Sequence, residues 1–208
     1  MEKLSKNVSM TVVRRLPKYY QYLTDLLDKG IQKISSKELA NLMGLTASQI
    51  RQDLNAFGAY GQQGYGYRVA ELCDAIRILL GLDRVYNCVI IGSGNLGRAI
   101  SNYERFYQDG IHILGMFDID RKKISKSTGQ IPIMHVDQLD EFVRNNAVDL
   151  CILAVPREVG QSMAEKVCAL GIKGILNFVP VDLTVPDNVM VENVNITDSM
   201  FVLTYNMK

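Results

Sequence analysis

The sequence predicts an α/β chain in two parts, a basic winged helix-turn-helix domain in front and a Rossmann-like parallel sheet behind. Three observations carry this. Two short segments with helix-capping signals flank a glycine turn within residues 35–58, and a tyrosine- and glycine-rich stretch follows at once. From Asn87 on, continuous apolar runs alternate with amphipathic ones, as in βα units whose strands are buried on both faces. The first of these runs ends in "IIGSGNLG", glycines at the spacing of a dinucleotide fingerprint. The expected parts are a winged-helix DNA-binding domain with a linking helix over 1–84, a nucleotide domain over 85–194 and a terminal helix over 195–208.

In the front part, Pro17 opens a helix through "KYYQYLTDLLDK" that Gly30 ends, the usual placement of the two residues. Ser35 with Glu38 forms a capping box before "ELANLM", and Gly44 turns the chain. Thr46 with Gln49 repeats the device, and Gly58 closes the second helix. That helix separates its faces. Ile50, Leu54 and Phe57 point to the core, while Ser48, Arg51, Gln52 and Asn55 fall opposite, side chains suited to reading base edges. "GAYGQQGYGYRV" then reads as a hairpin wing, placing Gln62, Gln63, Tyr65 and Tyr67 beside DNA. "VAELCDAIRILLGL" is the linking helix.

Behind it, "NCVIIG" is a strand, "NLGRAISNYERFYQ" a helix and "IHILGMFDID" a strand ending in acid. Helix–strand pairs follow at "DQLDEFVRNN" with "DLCILAVP" and at "QSMAEKVCALG" with "IKGILNFVP". The end, "NITDSMFVLTYNMK", is a helix with Ile196, Met200, Leu203 and Met207 on one stripe, which needs a covering surface.

Composition agrees. With 48% hydrophobic and 22% charged residues, 208 residues build a real core and are not disordered. Net charge is +1, but residues 1–84 hold 12 Lys/Arg against 8 Asp/Glu (+4), and 85–208 hold 11 against 14 (−3). A basic front suits a polyanionic partner, although a surface of +4 is more often simply solvated. No stretch reaches the ~20 apolar residues of a membrane span, and "MEKLSKNVSM" lacks a secretory apolar core. Cys73, Cys88, Cys151 and Cys168 show no close spacing, so reduced thiols in a cytoplasmic protein are expected, with no metal site.

At the fingerprint, Gly92 permits the tight turn, Gly94 lets backbone approach a pyrophosphate and Gly97 lets helix and strand pack closely. Ser93, Asn95 and Leu96 complete the loop, whose helix start offers free N–H groups to phosphate. Asp118, 21 residues beyond Gly97, sits where an acid binds ribose hydroxyls and favours NAD over NADP. "AVP" (Ala154, Val155, Pro156) and "NFVP" (Asn177, Phe178, Pro180) are the further carboxyl-end loops expected to line the pocket. Coenzyme A remains an alternative ligand. An enzyme is not expected. The two histidines, His112 in a strand and His135 in a loop, have no evident carboxylate partner, and no substrate domain is left over.

Together "SSKELANLMGLTASQIRQDLNAFGAYGQQGYGY", "IIGSGNLG", "FDID", "AVP" and "GIKGILNFVPVDLTVP…ENV" resemble the Rex family of redox-sensing transcriptional repressors, in order over nearly the whole chain. The resemblance implies a homodimer with a swapped C-terminal helix, bound to an inverted-repeat operator in double-stranded DNA and released by NADH, with NADH and NAD⁺ competing for one site per subunit. It implies that Arg51 reads a base and that Tyr103 lies near the nicotinamide. It also marks departures: Gln52, Gln62 and Gln63 stand where many members carry Lys or Arg. Gln21 and Asn195 replace an arginine and an aspartate that pair across subunits in some members. A small NAD-dependent oxidoreductase and a coenzyme-A-binding regulator are the alternatives.

Overall fold

In the computed structural model, which describes residues 8–58, 61–62, 66–124 and 131–207, the chain divides between Arg84 and Val85 into two units. The first holds helices α1 (Met10–Val13) and α2 (Leu16–Asp28), strand β1 (Lys33–Ile34), helices α3 (Ser36–Met43) and α4 (Ala47–Asn55), strands β2 (Gly61–Gln62) and β3 (Gly66–Arg68), and helix α5 (Val69–Leu79). Both capping boxes form. Ser35 Oγ accepts from the Glu38 N–H at 3.2 Å while Glu38 Oε2 accepts from the Ser35 N–H at 2.8 Å. Thr46 and Gln49 do the same at 3.2 Å each way. Gly44, at φ 67°, makes the left-handed turn that sends α4 across α3.

Tyr19 and Leu23 of α2, Leu39 of α3, Ile50 and Leu54 of α4, and Leu72 and Ile76 of α5 close one core. The strands form a small antiparallel sheet in the order β1-β3-β2. β1 has no counterpart among the expected elements, because two residues carry no periodicity to read. It exists because Gly66 lacks a side chain: a Cβ there would lie 2.6 Å from the Ile34 carbonyl oxygen.

The second unit runs β4 (Tyr86–Ile91), α6 (Asn95–Ser101), α7 (Glu104–Gln108), β5 (Ile111–Asp118), β6 (Ile133–His135), a 3₁₀ turn (Val136–Gln138), α8 (Leu139–Asn145), β7 (Leu150–Leu153), α9 (Arg157–Ala169), β8 (Gly174–Asn177), β9 (Met190–Asn193) and α10 (Ile196–Asn206). All six strands are parallel, in the order β6-β5-β4-β7-β8-β9. The order reverses between β5 and β7 on either side of β4, the point where doubly wound sheets bind ligands. Along β4, Cys88 and Ile90 join one apolar cluster while Val89 and Ile91 join another, so the sheet is covered on both faces as its apolar runs require.

Two expectations change here. The single helix expected over 95–108 is two, because Ser101 Oγ turns back onto the Arg98 carbonyl and Tyr103 adopts extended backbone (φ −82°, ψ 92°) as the cap of α7. β6 and β9, three and four residues long, are strands the sequence pattern does not announce. The terminal helix forms, capped by Asn195, and none of its residues is buried.

Candidate functional site

The glycine loop between β4 and α6 is built to two different ends. Gly92 sits at φ 103°, and a Cβ there would collide with the Ala154 carbonyl at the end of β7. A Cβ on Gly97 would collide with the Gly92 carbonyl and lie 3.4 Å from Ile90. Both glycines are therefore demanded by the fold. Gly94 is not: a Cβ there would meet nothing within 4 Å, so the bare backbone faces open space at the start of α6. Asn95 and Leu96 are exposed beside it. Arg98 Nε donates to the Ser93 carbonyl at 3.0 Å and steadies the loop.

Asp118 ends β5 and is nearly buried. Its Oδ2 accepts from the Ser93 N–H (2.9 Å), Ser93 Oγ (2.7 Å) and Lys123 Nζ (2.9 Å), and its Oδ1 accepts from the Asp120 N–H at 2.9 Å. Burial pushes the carboxyl pKa up, but these hydrogen bonds outweigh it and hold Asp118 well below the usual carboxylate range. The group is thus a fixed anion that ties the glycine loop to the strand. A carboxylate offers about four lone-pair sites, and Oδ1 retains one for a ligand hydroxyl.

A cavity of about 560 Å³ opens over these groups, lined by Gly92, Gly94, Asp118, Ala154, Val155 and Pro156 among the expected residues. Its volume suits a cofactor fragment. Ile119, Lys123, Val136, Val159 and Met163 also line it. Lys123 is not among the expected residues; its signal is a run of three cations just past the acid in "FDIDRKK", and the four apolar residues carry no signal. The cavity wall beside Asp118 is largely apolar.

Four expected pocket residues lie elsewhere. Tyr103, 57% exposed, lines a second concavity with Phe106, Tyr107 and His112. Asn177 and Pro180 line a third. Asn177 is itself buried and spends its amide on the Val181 carbonyl, Asn193 Oδ1 and the Val179 N–H, so it holds the strand-end loop together. Phe178 packs against the cluster of Cys88, Ile90 and Met116. His135 does have a carboxylate neighbour: its Nδ1 lies 2.9 Å from Asp137 Oδ2, and it ends β6 rather than lying in a loop. Among the described residues, no group of His, Cys, Asp and Glu could hold a metal ion.

In the first unit, α4 exposes Ser48, Gln49, Arg51, Gln52 and Asn55 along one side and buries Ile50, Asp53 and Leu54 on the other. Arg51 is steadied from α3, its guanidinium donating to Ser36 Oγ at 3.2 Å. Thr46 and the Oε1 of Gln49 are occupied in capping, which leaves the Gln49 amide nitrogen as its donor to a ligand. Tyr67 is a correction: it is 8% exposed and belongs to the core, because it pairs with Ile34 in the middle strand of the small sheet and faces inward. Gln62 lies in β2, and Gln63 and Tyr65 fall outside the described residues.

Residues 7–55 match the family model "Putative DNA-binding protein N-terminus", and residues 83–181 match "CoA binding domain". A redox-sensing transcriptional repressor Rex of Clostridioides difficile (strain 630) is 52% identical over 204 residues, 98% of this chain and 97% of that protein. The chain belongs to the Rex family. The Rex of Thermoanaerobacter pseudethanolicus (strain ATCC 33223 / 39E) is 47% identical over 207 residues, covering 100% and 92% of the two chains. The crystal structure of RSP, a Rex-family repressor, in complex with beta-NAD+ and operator DNA matches at a TM-score of 0.92 and 47% identity, covering 98% of this chain and 94% of that one. RSP in complex with beta-NADH matches at 0.89 and 44%.

Rex membership gives the glycine loop, Asp118 and the α4 face one context. Asn195, one of the two positions at which the resemblance implies a lost charge, is the N-cap of α10, accepting from the Thr197 N–H at 3.0 Å and donating to Asp198 Oδ1 at 2.9 Å. Asn and Asp cap equally well, so the exchange keeps the helix start and removes only the charge. Gln21, the other such position, is exposed on α2.

Proposed function

We propose that this Rex-family chain is a cytoplasmic homodimeric repressor that binds an inverted-repeat operator and leaves it when NADH replaces NAD⁺ in the pocket over Gly94 and Asp118. The observation that carries the reading is the match, over 98% of the chain, to a repressor crystallised with both NAD⁺ and operator DNA. Family membership makes the chain a transcriptional repressor rather than an enzyme.

The pocket suits a dinucleotide. Open backbone at Gly94 admits a pyrophosphate, Asp118 Oδ1 accepts a ribose hydroxyl, and Ile119, Val136 and Val159 flank the adenine. When bound, the cofactor supplies only its redox state, read as a difference in nicotinamide shape and charge. Tyr103, outside this cavity, is assigned to the nicotinamide end by the family resemblance alone. In α4, Arg51 reads a guanine edge, with Gln52 and Asn55 beside it, and two such helices enter successive major grooves. Exposed Ile196, Met200, Phe201 and Leu203 on α10 support a second subunit as their cover. No described helix is long and apolar enough to cross a membrane.

Operator binding measured across NADH/NAD⁺ ratios at fixed salt tests the reading. Affinity should fall as the ratio rises, and a flat response refutes sensing while leaving DNA binding intact. Competition by coenzyme A for bound NADH would favour the coenzyme-A regulator instead.

A further inference from the structure

The front of α2 grips both helices of the helix-turn-helix. Arg15, its N-cap, makes a bidentate pair with Asp53 of α4, Nε to Oδ2 at 2.8 Å and the terminal nitrogen to Oδ1 at 2.6 Å. The Tyr19 hydroxyl donates to the same Oδ2 at 2.9 Å. Lys18 Nζ donates to the carbonyl of Met43, the last residue of α3, at 2.9 Å. Positions i, i+3 and i+4 lie on one face of a helix, so the three tethers leave α2 together.

Burial alone does not call for this cluster. Among the described residues of the first unit, Asp53 is the only buried charged or polar one, and it sits between Ile50 and Leu54 where an apolar residue would serve. Replacing a buried ion pair by apolar residues of similar volume is often neutral or stabilising. What the pair adds is direction, because a guanidinium fork fixes angle as well as distance, whereas apolar side chains slide. A roll of α4 by ~20° would carry a group ~6 Å from its axis through ~2 Å. That is enough to break a bidentate contact to a base.

We propose that Arg15, Asp53 and Tyr19 form a positioning device that sets the roll of α4, and thereby sequence selectivity, without touching a base. The proposal rests on α4 being the recognition helix. Its test uses the full chain, a duplex selected by the wild type from a random pool, and a scrambled duplex of equal length at fixed salt. The variants are the apolar swap Arg15→Met with Asp53→Leu, the milder Tyr19→Phe, and Arg51→Ala as a control. The swap should melt within a few degrees of wild type and bind NADH unchanged, while the selected-to-scrambled affinity ratio falls roughly tenfold or more. Tyr19→Phe, which keeps the ring, should lower the ratio less, in the same direction.

A folded swap variant with an undiminished ratio overturns the proposal, as does equal weakening on both duplexes with a shallower salt dependence, which would make Arg15 a phosphate contact. If the swap does not fold, an unchanged ratio in Tyr19→Phe overturns it. Loss of selectivity in Arg51→Ala with full selectivity in the swap defeats this proposal alone. A control that keeps selectivity defeats the recognition-helix reading and this proposal with it.

Discussion

Gly94 and Gly97 lie three residues apart in one loop, and the structure gives their alanine variants opposite outcomes. At Gly97 the new Cβ would overlap the Gly92 carbonyl and press on Ile90, with backbone on the hard side of the contact. Overpacking of this kind costs about 1–3 kcal/mol, so Gly97→Ala should lower the melting temperature of the second unit by several degrees. At Gly94 the Cβ meets no protein atom within 4 Å, and the backbone is extended (φ −69°, ψ −172°), open to any residue. Alanine is a poorer N-cap than glycine by up to about 1 kcal/mol, and the stiffer unfolded chain returns about 0.4–1 kcal/mol. Gly94→Ala should therefore melt like wild type.

On the proposed reading a pyrophosphate fills the space that Gly94 leaves open, and one methyl group there is enough to block its close approach. Thermal melting with and without NADH reads both effects at once. A ligand at a hundred times its Kd stabilises by about 2.7 kcal/mol. That upward shift should be present in wild type and largely lost in Gly94→Ala. Operator binding by Gly94→Ala should then no longer respond to NADH. A Gly94→Ala protein that melts normally and still shows the full NADH shift would refute the placement of the pyrophosphate at this loop.

Three further outcomes follow from the same geometry. Arg51→Ala should cost about 1–3 kcal/mol on the operator and relax selectivity at one base position per half-site; uniform loss on all sequences would make Arg51 a phosphate contact. Asp118 is held below its unfolded pKa of about 3.9, so its stabilisation is complete above that value and fades as pH falls below it toward the folded pKa. The stability gap between wild type and Asp118→Asn, followed by urea melts, should be constant near neutrality and narrow under acid; a gap that widens on acidification contradicts this. Burial pushes the Cys88 thiol up to about 12 and Cys151 well above its ordinary value. In the native protein at pH 8 both should resist iodoacetamide while the partly exposed Cys168 is alkylated first, as read by peptide mass analysis.

What the sequence determined by itself was local. The capping boxes of Ser35–Glu38 and Thr46–Gln49, the turn at Gly44, the glycine fingerprint and the acid at Asp118 are legible because each involves groups a few residues apart, or a strand pattern repeated along the chain. Composition and apolar alternation likewise announced two units and a sheet covered on both faces. Tertiary structure decided what depends on partners distant in sequence. Arg15 meets Asp53 across 38 residues, and Asn177 meets Asn193 across 16, contacts no window of the sequence contains. Tyr67 looked like a wing residue until pairing with Ile34 fixed which face of its strand turns inward. Tyr103 looked like part of one helix until the chain broke at Asn102 and gave it to a different concavity. Period-2 and period-3.6 patterns state that a residue is buried, but the register of strands and the packing of helices choose against what, and that choice buries Asp53 of α4 against Arg15 and Tyr19 at the front of α2.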